Sequence, residues 1–445
     1  MTLSTLAREL EERERTGRPL AVAVVGAGMM GKGLVEQLWR MPGLRPALVA
    51  NRTRSRAAAA WGLVPRSGAP LSSDDPDALE RAILERRPTI TGDLELAASL
   101  EPIDVVMEAT GNVEVGARVA LAAIDARTHV ASLNAELDAT VGCLLQGIAS
   151  QRGVVYSNAD GDQPGVLVRQ VEWARACGFE VRAAVNCKGY LDPEATPESM
   201  REWVRARGIP ALSLGMVVGF TDGTKMNIEN NVVANSTGLL PLRRGMSGVR
   251  TTLAEALEAL APLLAEGKPF VDYTLGGDFG RGVFVVGSRP AAPEGPPYLD
   301  YLGLGPGPDH LLHRAYHLCA VEAPLSAAEA ALRGEPTIPL APAPLAQTVA
   351  VAKRKLEPDR PLEGIGGRDV YGRLDSTERS SGLLPVGLAD AATAIGPVAK
   401  GAAVALDSVE LDGSRLAVRL WRRQLELNHD PLGLEHGALR PFARA

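Results

Sequence analysis

The run Leu20-Ala-Val-Ala-Val-Val25 passes straight into Gly26-Ala-Gly28-Met-Met-Gly31, and a helical pattern continues from Lys32 to Arg40. An apolar stretch of this length suits a strand, and glycines spaced G-x-G-x-x-G at its end suit a sharp turn into a helix. Gly26 makes the turn, Gly28 lets a pyrophosphate come close to the backbone, and Gly31 lets the helix pack tightly on the strand. The first helical turn, at Met29 and Met30, then offers free N–H groups and partial positive charge to an anion. The same spacing occurs in glycine-rich structural turns. Here the flanking strand, helix and second strand are all present, and the expectation is a dinucleotide site.

The end of the second strand bears on which dinucleotide. Ala47-Leu-Val-Ala50 reads as that strand and stops at Asn51-Arg52-Thr53-Arg54. An NAD-selective site has Asp or Glu about 20 residues past the glycines, where it accepts hydrogen bonds from the ribose hydroxyls. An amide and a guanidinium stand here instead. Arg52 can grip a 2′-phosphate that a carboxylate would repel, although Arg52, Arg54 and Arg56 also suit a solvated helix start. NADP(H) is therefore favoured over NAD(H).

From Ala21 to about Tyr156, strands alternate with helical stretches. Ile103-Asp-Val-Val-Met-Glu108 ends in Ala109-Thr110-Gly111, and Thr128-His-Val-Ala-Ser132 ends in Leu133-Asn134-Ala135-Glu136. This alternation implies an α/β, doubly wound, mostly parallel sheet whose ligands lie beyond the carboxyl ends of its strands. Gly26, Asn51, Thr110 and Asn134 all fall at such ends, so Ala109, Thr110, Gly111, Asn134 and Glu136 join the expected cofactor set. Past Val154 the pattern becomes mixed, with strands expected at 181–185, 270–273 and 283–286, a helix near 197–207 and a surface loop at 290–297. A helix-like stretch from His310 to Leu332 reads as the close of an α+β substrate domain. The proline-rich run 336–344 reads as a linker to a small, mostly β module able to fold alone. The expected divisions are 18–157 (dinucleotide binding), 158–335 (substrate and catalysis, with dimerisation), 345–412 (the β module) and 413–445.

Composition narrows the class. With 445 residues, 46% hydrophobic and 22% charged, the chain suits a multidomain globular protein. A net charge of −6 and the absence of a basic, aromatic-laced block argue against nucleic-acid binding. Cys143, Cys177, Cys187 and Cys319 form no C-x-x-C and read as buried, reduced thiols. Residues 1–18 form an amphipathic helix rather than a signal peptide, and no stretch reaches membrane-span length. The expectation is a cytoplasmic protein whose partners are a small-molecule substrate and further copies of itself, as a homodimer or homotetramer.

Hydride chemistry needs a group that stabilises the oxygen on which charge develops. The segment Gly219-Phe-Thr-Asp222-Gly-Thr-Lys225-Met-Asn-Ile-Glu229 is polar and carries a helix-start signal. With a helix beginning near Asp222, Lys225 and Glu229 lie on one face. That spacing suits a catalytic ammonium held by a carboxylate, and equally an exposed ion pair with Asp222 as a cap. Lys188, in Asn-Cys-Lys-Gly-Tyr, is a second cation suited to an anionic substrate group. Asp160 and Asp162 suit acid/base work, a divalent cation shared with Glu136, or an ordinary turn. His310, His313 and His317 would share one helix face, a metal-ligand spacing that helical histidines seldom use. No metal is assigned.

Taken in order, Gly26-Ala-Gly-Met-Met-Gly-Lys-Gly33, Glu108-Ala-Thr-Gly111, Asn134-Ala-Glu-Leu-Asp-Ala-Thr-Val-Gly142, Ala159-Asp-Gly-Asp-Gln-Pro-Gly165, Phe220-Thr-Asp-Gly-Thr-Lys-Met-Asn-Ile-Glu229 and Tyr316-His-Leu-Cys319 resemble one bacterial family. It comprises NAD(P)-dependent oxidoreductases related to homoserine dehydrogenase with a C-terminal SAF (β-clip) domain, including a 1-deoxy-D-xylulose 5-phosphate reductoisomerase-like branch. Ala352-Lys-Arg-Lys-Leu-Glu-Pro358, Leu362-Glu-Gly-Ile-Gly-Gly367 and Leu384-Pro-Val-Gly-Leu388 resemble the SAF part. The resemblance spans roughly residues 20 to 410. It implies a Rossmann domain, an NADPH-linked oxidoreductase activity on CH–OH donors and a substrate cleft bearing Lys225. His317 matches the family's Tyr-His-Leu-Cys; His310 and His313 have no place in it. The Asn-Lys that follows a later strand of homoserine dehydrogenase is Asn134-Ala135 here, which argues against an amino-acid substrate.

Two functions follow. The first is hydride transfer between NADP(H) and a small, anionic or polyhydroxylated carbonyl compound, with reductoisomerase-like chemistry as its branch-level variant. In it Lys225 polarises the carbonyl, Asp222 and Glu229 hold it in place, and Lys188 binds an acidic group, with Asp162 as an acid/base. The second is a cofactor-bound sensor whose β module binds a partner without turnover.

Overall fold

The computed structural model describes residues 3–65, 68–207, 213–276, 282–289 and 298–429. The fold is α/β, with a large parallel sheet, a mixed second sheet and a separate mostly-β region. The chain forms two compact units: Met1–Asp162 with Leu318–Ala343 and Gly413–Ala445, and Gln163–His317 with Pro344–Asp412.

The first unit is built on strands β1 (Leu20–Val25), β2 (Leu44–Ala50), β3 (Leu71–Ser72), β4 (Thr89–Thr91), β5 (Val105–Glu108), β6 (His129–Ser132) and β7 (Tyr156–Asn158). They form a seven-stranded sheet in the order β3-β4-β2-β1-β5-β6-β7. Every pair is parallel. Both faces must then be covered, and β1 is buried along its whole length. The chain winds outward from β1 in both directions. The order therefore reverses between β1 and β5, which is where Rossmann-type sheets open a crevice.

Helix Cys319–Arg333 supplies Ala323, Ala327 and Ala328 to the same core as Val22, Leu34, Leu38 and Met107. It therefore belongs to the first unit rather than to the substrate region in which the sequence reading placed it. An alanine face has too little bulk to announce what it packs on. Helix Leu416–His429 joins this unit as well. The Glu114 carboxylate accepts the Leu416 and Ala417 N–H groups at 3.1 and 2.9 Å, and Gln424 bonds the backbone of Leu144 and Thr140.

The second unit has a five-stranded sheet, β12-β11-β8-β10-β9. Its strands are β8 (Glu180–Lys188), β9 (Val249–Arg250), β10 (Phe270–Leu275), β11 (Val283–Ser288) and β12 (Asp309–Arg314). The expected run of helix from His310 is corrected here, because β12 pairs antiparallel with β11. On a strand, residues three apart face opposite sides, so His310 and His313 do not share a face. His310 is buried, with its Nδ1 3.1 Å from the Leu304 carbonyl. The expected loop at 290–297 lies outside the described residues.

Residues 344–412 carry β13 (Ala346–Ala352), β14 (Arg360–Pro361), β15 (Val370–Ser376), β16 (Ala392–Ala394) and β17 (Val409–Leu411). β13 pairs with β15, and β16 with β14 and β17. The chain crosses from the first unit to the second at Ala343/Pro344, within the proline-rich run, but the mostly-β region that follows shares its compact unit with Gln163–His317 rather than standing apart. Helix Thr224–Thr237 joins the two parts. Its Asn227 Oδ1 accepts the Leu374 N–H at 2.8 Å, and its Asn235 Oδ1 accepts those of Leu345 and Ala346 at 2.7 and 2.9 Å. Both asparagines are buried, so the helix offers β13 and β15 the acceptors that another strand would have supplied.

Of the cysteines, Cys143 and Cys187 are buried as expected, but Cys177 is exposed and Cys319 half-buried, and none of the four forms a disulfide. Burial pushes the Cys143 thiol up to about 12. Among the described residues no helix is long and apolar enough to cross a membrane.

Candidate active site

At the end of β1, Gly26 has φ +102°, and a Cβ there would come within 2.7 Å of the Ala109 carbonyl oxygen. A Cβ on Gly31 would lie 1.8 Å from the Gly26 carbonyl oxygen. Only glycine fits either place. Gly28, by contrast, is exposed with no atom within 4 Å of such a Cβ, so its open side is free for a ligand to approach. Gly28 is also the N-cap of helix Met29–Arg40, and no side chain caps that end. The N–H groups of Met29, Met30 and Gly31 thus lack an intrahelical partner and stand where a pyrophosphate would accept from them. These features fit a dinucleotide.

Asn51 supports this turn through its side chain. Its Oδ1 accepts the Ala27 N–H at 3.1 Å, and its Nδ2 donates to the Thr53 carbonyl. The two arginines beyond it differ. Arg54 pairs with Asp74, whose carboxylate also takes the Thr91 hydroxyl and the Gly92 N–H. The Thr91 hydroxyl, the Gly92 N–H and Arg54 together hold the Asp74 carboxyl below its usual range. Arg52 is exposed at the mouth of the same strand end.

Across the switch point, β5 ends in Glu108, a buried carboxyl whose Oε1 accepts the Thr110 N–H at 2.7 Å. Burial pushes this carboxyl up, opposed by its bonds to Thr110 and Asn134. Glu108 thereby shapes the Ala109-Thr110-Gly111 turn, with Gly111 at φ +64°. Asn134 caps helix Ala135–Gln151 by accepting the Leu137 N–H, and its Nδ2 donates to the Asn112 carbonyl, tying together the loops after β5 and β6. Glu136 is half-buried in the first turn of that helix.

Asp138, one turn further, was not singled out by sequence. It takes bonds from Tyr156 Oη and Asn158 Nδ2, both at 2.6 Å, and from Ser132 Oγ at 3.1 Å. Burial pushes its carboxyl up to about 7. A carboxylate among the apolar residues Ala135, Val141 and Leu145 of one helix face was the available signal. Beyond β7, Asp160 is buried and its carboxylate accepts the Gly161 N–H, while Asp162 Oδ1 lies 3.5 Å from Cys319 Sγ. Among the described residues no group of three or more His, Cys, Asp or Glu is arranged to hold a metal ion.

In the second unit, helix Leu214–Thr221 ends at Asp222, Gly223 turns with φ +88°, and helix Thr224–Thr237 starts at once. Lys225 and Glu229 lie one turn apart on that helix, the first half-buried and the second buried. The helix start falls on Gly223 rather than Asp222. The Asp222 carboxylate is committed elsewhere: its Oδ1 accepts the Thr224 N–H at 2.8 Å and its Oδ2 pairs with Lys353 Nζ at 2.7 Å. Burial pushes this carboxyl up while the Lys353 ammonium pulls it back. Lys353 sits in the Ala-Lys-Arg-Lys motif, and nothing local in that motif points to so distant a partner. At the end of β8, Lys188 Nζ lies 5.7 Å from the centre of the Phe220 ring, a cation–π contact that leaves the ammonium half-buried.

Residues 161–323 match the family described as "Oxidoreductase DRL, catalytic domain". No curated protein matches the sequence. Among solved structures, one described as a probable dehydrogenase from Thermotoga maritima is 10% identical, with 73% of this chain and 91% of that chain covered and a TM-score of 0.42. A DOX-P reductoisomerase in complex with magnesium is 12% identical over 71% of this chain and 70% of that one, at a TM-score of 0.39. GenD2 from gentamicin A biosynthesis, in complex with NAD, is 22% identical over 40% and 46%, at 0.29. These are likenesses of fold alone. With its middle third matching an oxidoreductase catalytic domain and its first unit built on a Rossmann-type sheet, the chain is an oxidoreductase.

Proposed function

We propose that the chain transfers hydride between NADP(H) and a small polar carbonyl compound or its alcohol, one that is anionic or polyhydroxylated. The observation that carries this reading is the uncapped helix start behind the open Gly28, in a chain that matches an oxidoreductase catalytic domain. When bound, the nicotinamide supplies or accepts the hydride. Met29, Met30 and Gly31 hold the pyrophosphate through their N–H groups, and Arg52 takes the 2′-phosphate. Asn51 and Glu108 keep the two flanking turns in shape. In the second unit Lys225 steadies the negative charge that grows on the substrate oxygen, with Glu229 one turn behind it. Lys188, backed by Phe220, binds the acidic or hydroxylated part of the substrate. Asp162 serves as the proton-transferring carboxylate.

The test has two arms. Fluorescence titration should give tighter binding of NADPH than NADH, and Arg52→Ala should remove most of the gap, since one charge-assisted contact contributes about 1.5–3 kcal/mol. Equal affinities in the parent protein overturn the cofactor assignment. Screening carbonyl compounds by NADPH oxidation should then identify a substrate, on which Lys225→Met lowers kcat on the order of 100- to 1,000-fold with KM little changed. Turnover within about threefold of the parent, far below the loss of a transition-state stabiliser, removes Lys225 from the chemistry.

A further inference from the structure

We infer that Lys353, contributed by the segment after the proline-rich run, is a positioning residue for the reaction: it clamps the Asp222-Gly223-Thr224 turn and so sets where Lys225 stands. The inference rests on the proposed role of Lys225 and extends it to a part of the chain that sequence set aside as a separate module.

Lys353 follows β13 directly, and its side chain is 3% exposed. Its Nζ meets Asp222 Oδ2 at 2.7 Å, the Ala195 carbonyl at 2.8 Å and the Gly367 carbonyl at 3.0 Å. Two of the ammonium's three donors go to these carbonyls, and the Asp222 carboxylate meets it as an ion pair. A surface pair gains little from such geometry, but a buried one tolerates little displacement, because moving either partner strands a buried charge. Asp222 passes the constraint on through its other oxygen, which holds the Thr224 N–H. Thr224 is held a second time, since its Oγ1 accepts the Gly372 N–H at 2.8 Å. Lys225 is the next residue.

The glycines of Leu362-Glu-Gly-Ile-Gly-Gly367 fit the same purpose. A Cβ on Gly366 would lie 2.1 Å from the Gly215 carbonyl oxygen, so only glycine lets this loop lie against helix Leu214–Thr221 and bring the Gly367 carbonyl to Lys353. Arg368 then bonds Glu198 on helix Pro197–Ala206, at 2.6 Å through its Nη2. The Lys353 ammonium thus gathers Ala195, Asp222 and Gly367, from three separate stretches, at the turn before Lys225.

The experiment measures Lys225 itself, in the full chain and with no substrate. Acylation of each lysine by acetic anhydride is followed by peptide mass spectrometry across pH, with the exposed Lys268 as internal reference. Lys353→Met alone would strand the Asp222 carboxylate, so the deciding variant is Asp222→Asn/Lys353→Met, which leaves neither charge. Lys353→Arg, which keeps the charge but not the three-way geometry, is its companion. If the clamp sets the ammonium's surroundings, both variants stay folded and the rate–pH profile of Lys225 moves by about one pH unit, a tenfold rate change at fixed pH. Lys268 should not move. A bridge that only adds stability would lower the unfolding midpoint and leave the Lys225 profile in place. Profiles within about twofold of the parent in both variants overturn the inference. On the substrate found by screening, the double variant should lose kcat with KM retained. Should Lys225→Met keep full turnover, the catalytic role falls, yet the labelling still reports whether the clamp exists.

Discussion

At the scale of single residues, buried carboxyls carry much of what is particular to this chain. Asp138 is the clearest case, because burial holds its carboxyl near 7 despite three hydrogen bonds. Its folded-state value lies above the unfolded one. The folded state therefore binds the extra proton between about pH 4 and 7, and stability falls as pH rises through that window. Below it the contribution is fully present; above it the loss is complete. Urea unfolding of the parent should show a decline on the order of a few kcal/mol from this group across the window. Asp138→Asn should flatten it. An unchanged slope in the variant would mean that the decline, if present, arises elsewhere. Sequence gave no view of this residue's surroundings, since they depend on Tyr156 and Asn158 arriving from β7.

At the scale of elements, legibility followed length and amphipathic contrast. β1, β2, β5 and β6 were readable because each is an apolar run closed by a polar or glycine turn. β3 and β4 were not, having two and three residues and no room for a pattern. β12 was misread because His310, His313 and His317 mimic a helical period, while the pairing that makes it a strand comes from the distant β11. The glycine turn could be placed from sequence, because its geometry is local, whereas the bond by which the Asn51 side chain accepts the Ala27 N–H comes from 24 residues away and could not. The partner of Asp222 could not, because it lies far along the chain. Helix Thr224–Thr237 illustrates the same limit: its Asn227 and Asn235 are buried acceptors for backbone that lies more than a hundred residues along the chain. Asn235→Ala strands the Leu345 and Ala346 N–H groups, each at about 1–3 kcal/mol. Chemical denaturation should show a loss of this size and a weakened start to β13. A loss under about 0.5 kcal/mol, the level of an ordinary surface change, would mean that water replaces the side chain.

At the scale of the whole molecule, the two units do not follow one another along the chain; they alternate. The first is assembled from three stretches and the second from two. A ribosome delivers them in sequence, so the first unit cannot be finished until the stretch that follows Asp412 has been made. The parallel sheet is complete in sequence by Asn158, yet it waits for helix Cys319–Arg333 to supply its alanine face and for helix Leu416–His429 to meet Glu114. From Asn158 until Arg333 has been made, the nascent chain therefore carries a sheet that lacks one of its covering helices. The apolar face that will later hold Ala323 and Ala327 is then a natural target for holding chaperones, and slow translation through residues 160–320 would lengthen that exposure rather than shorten it.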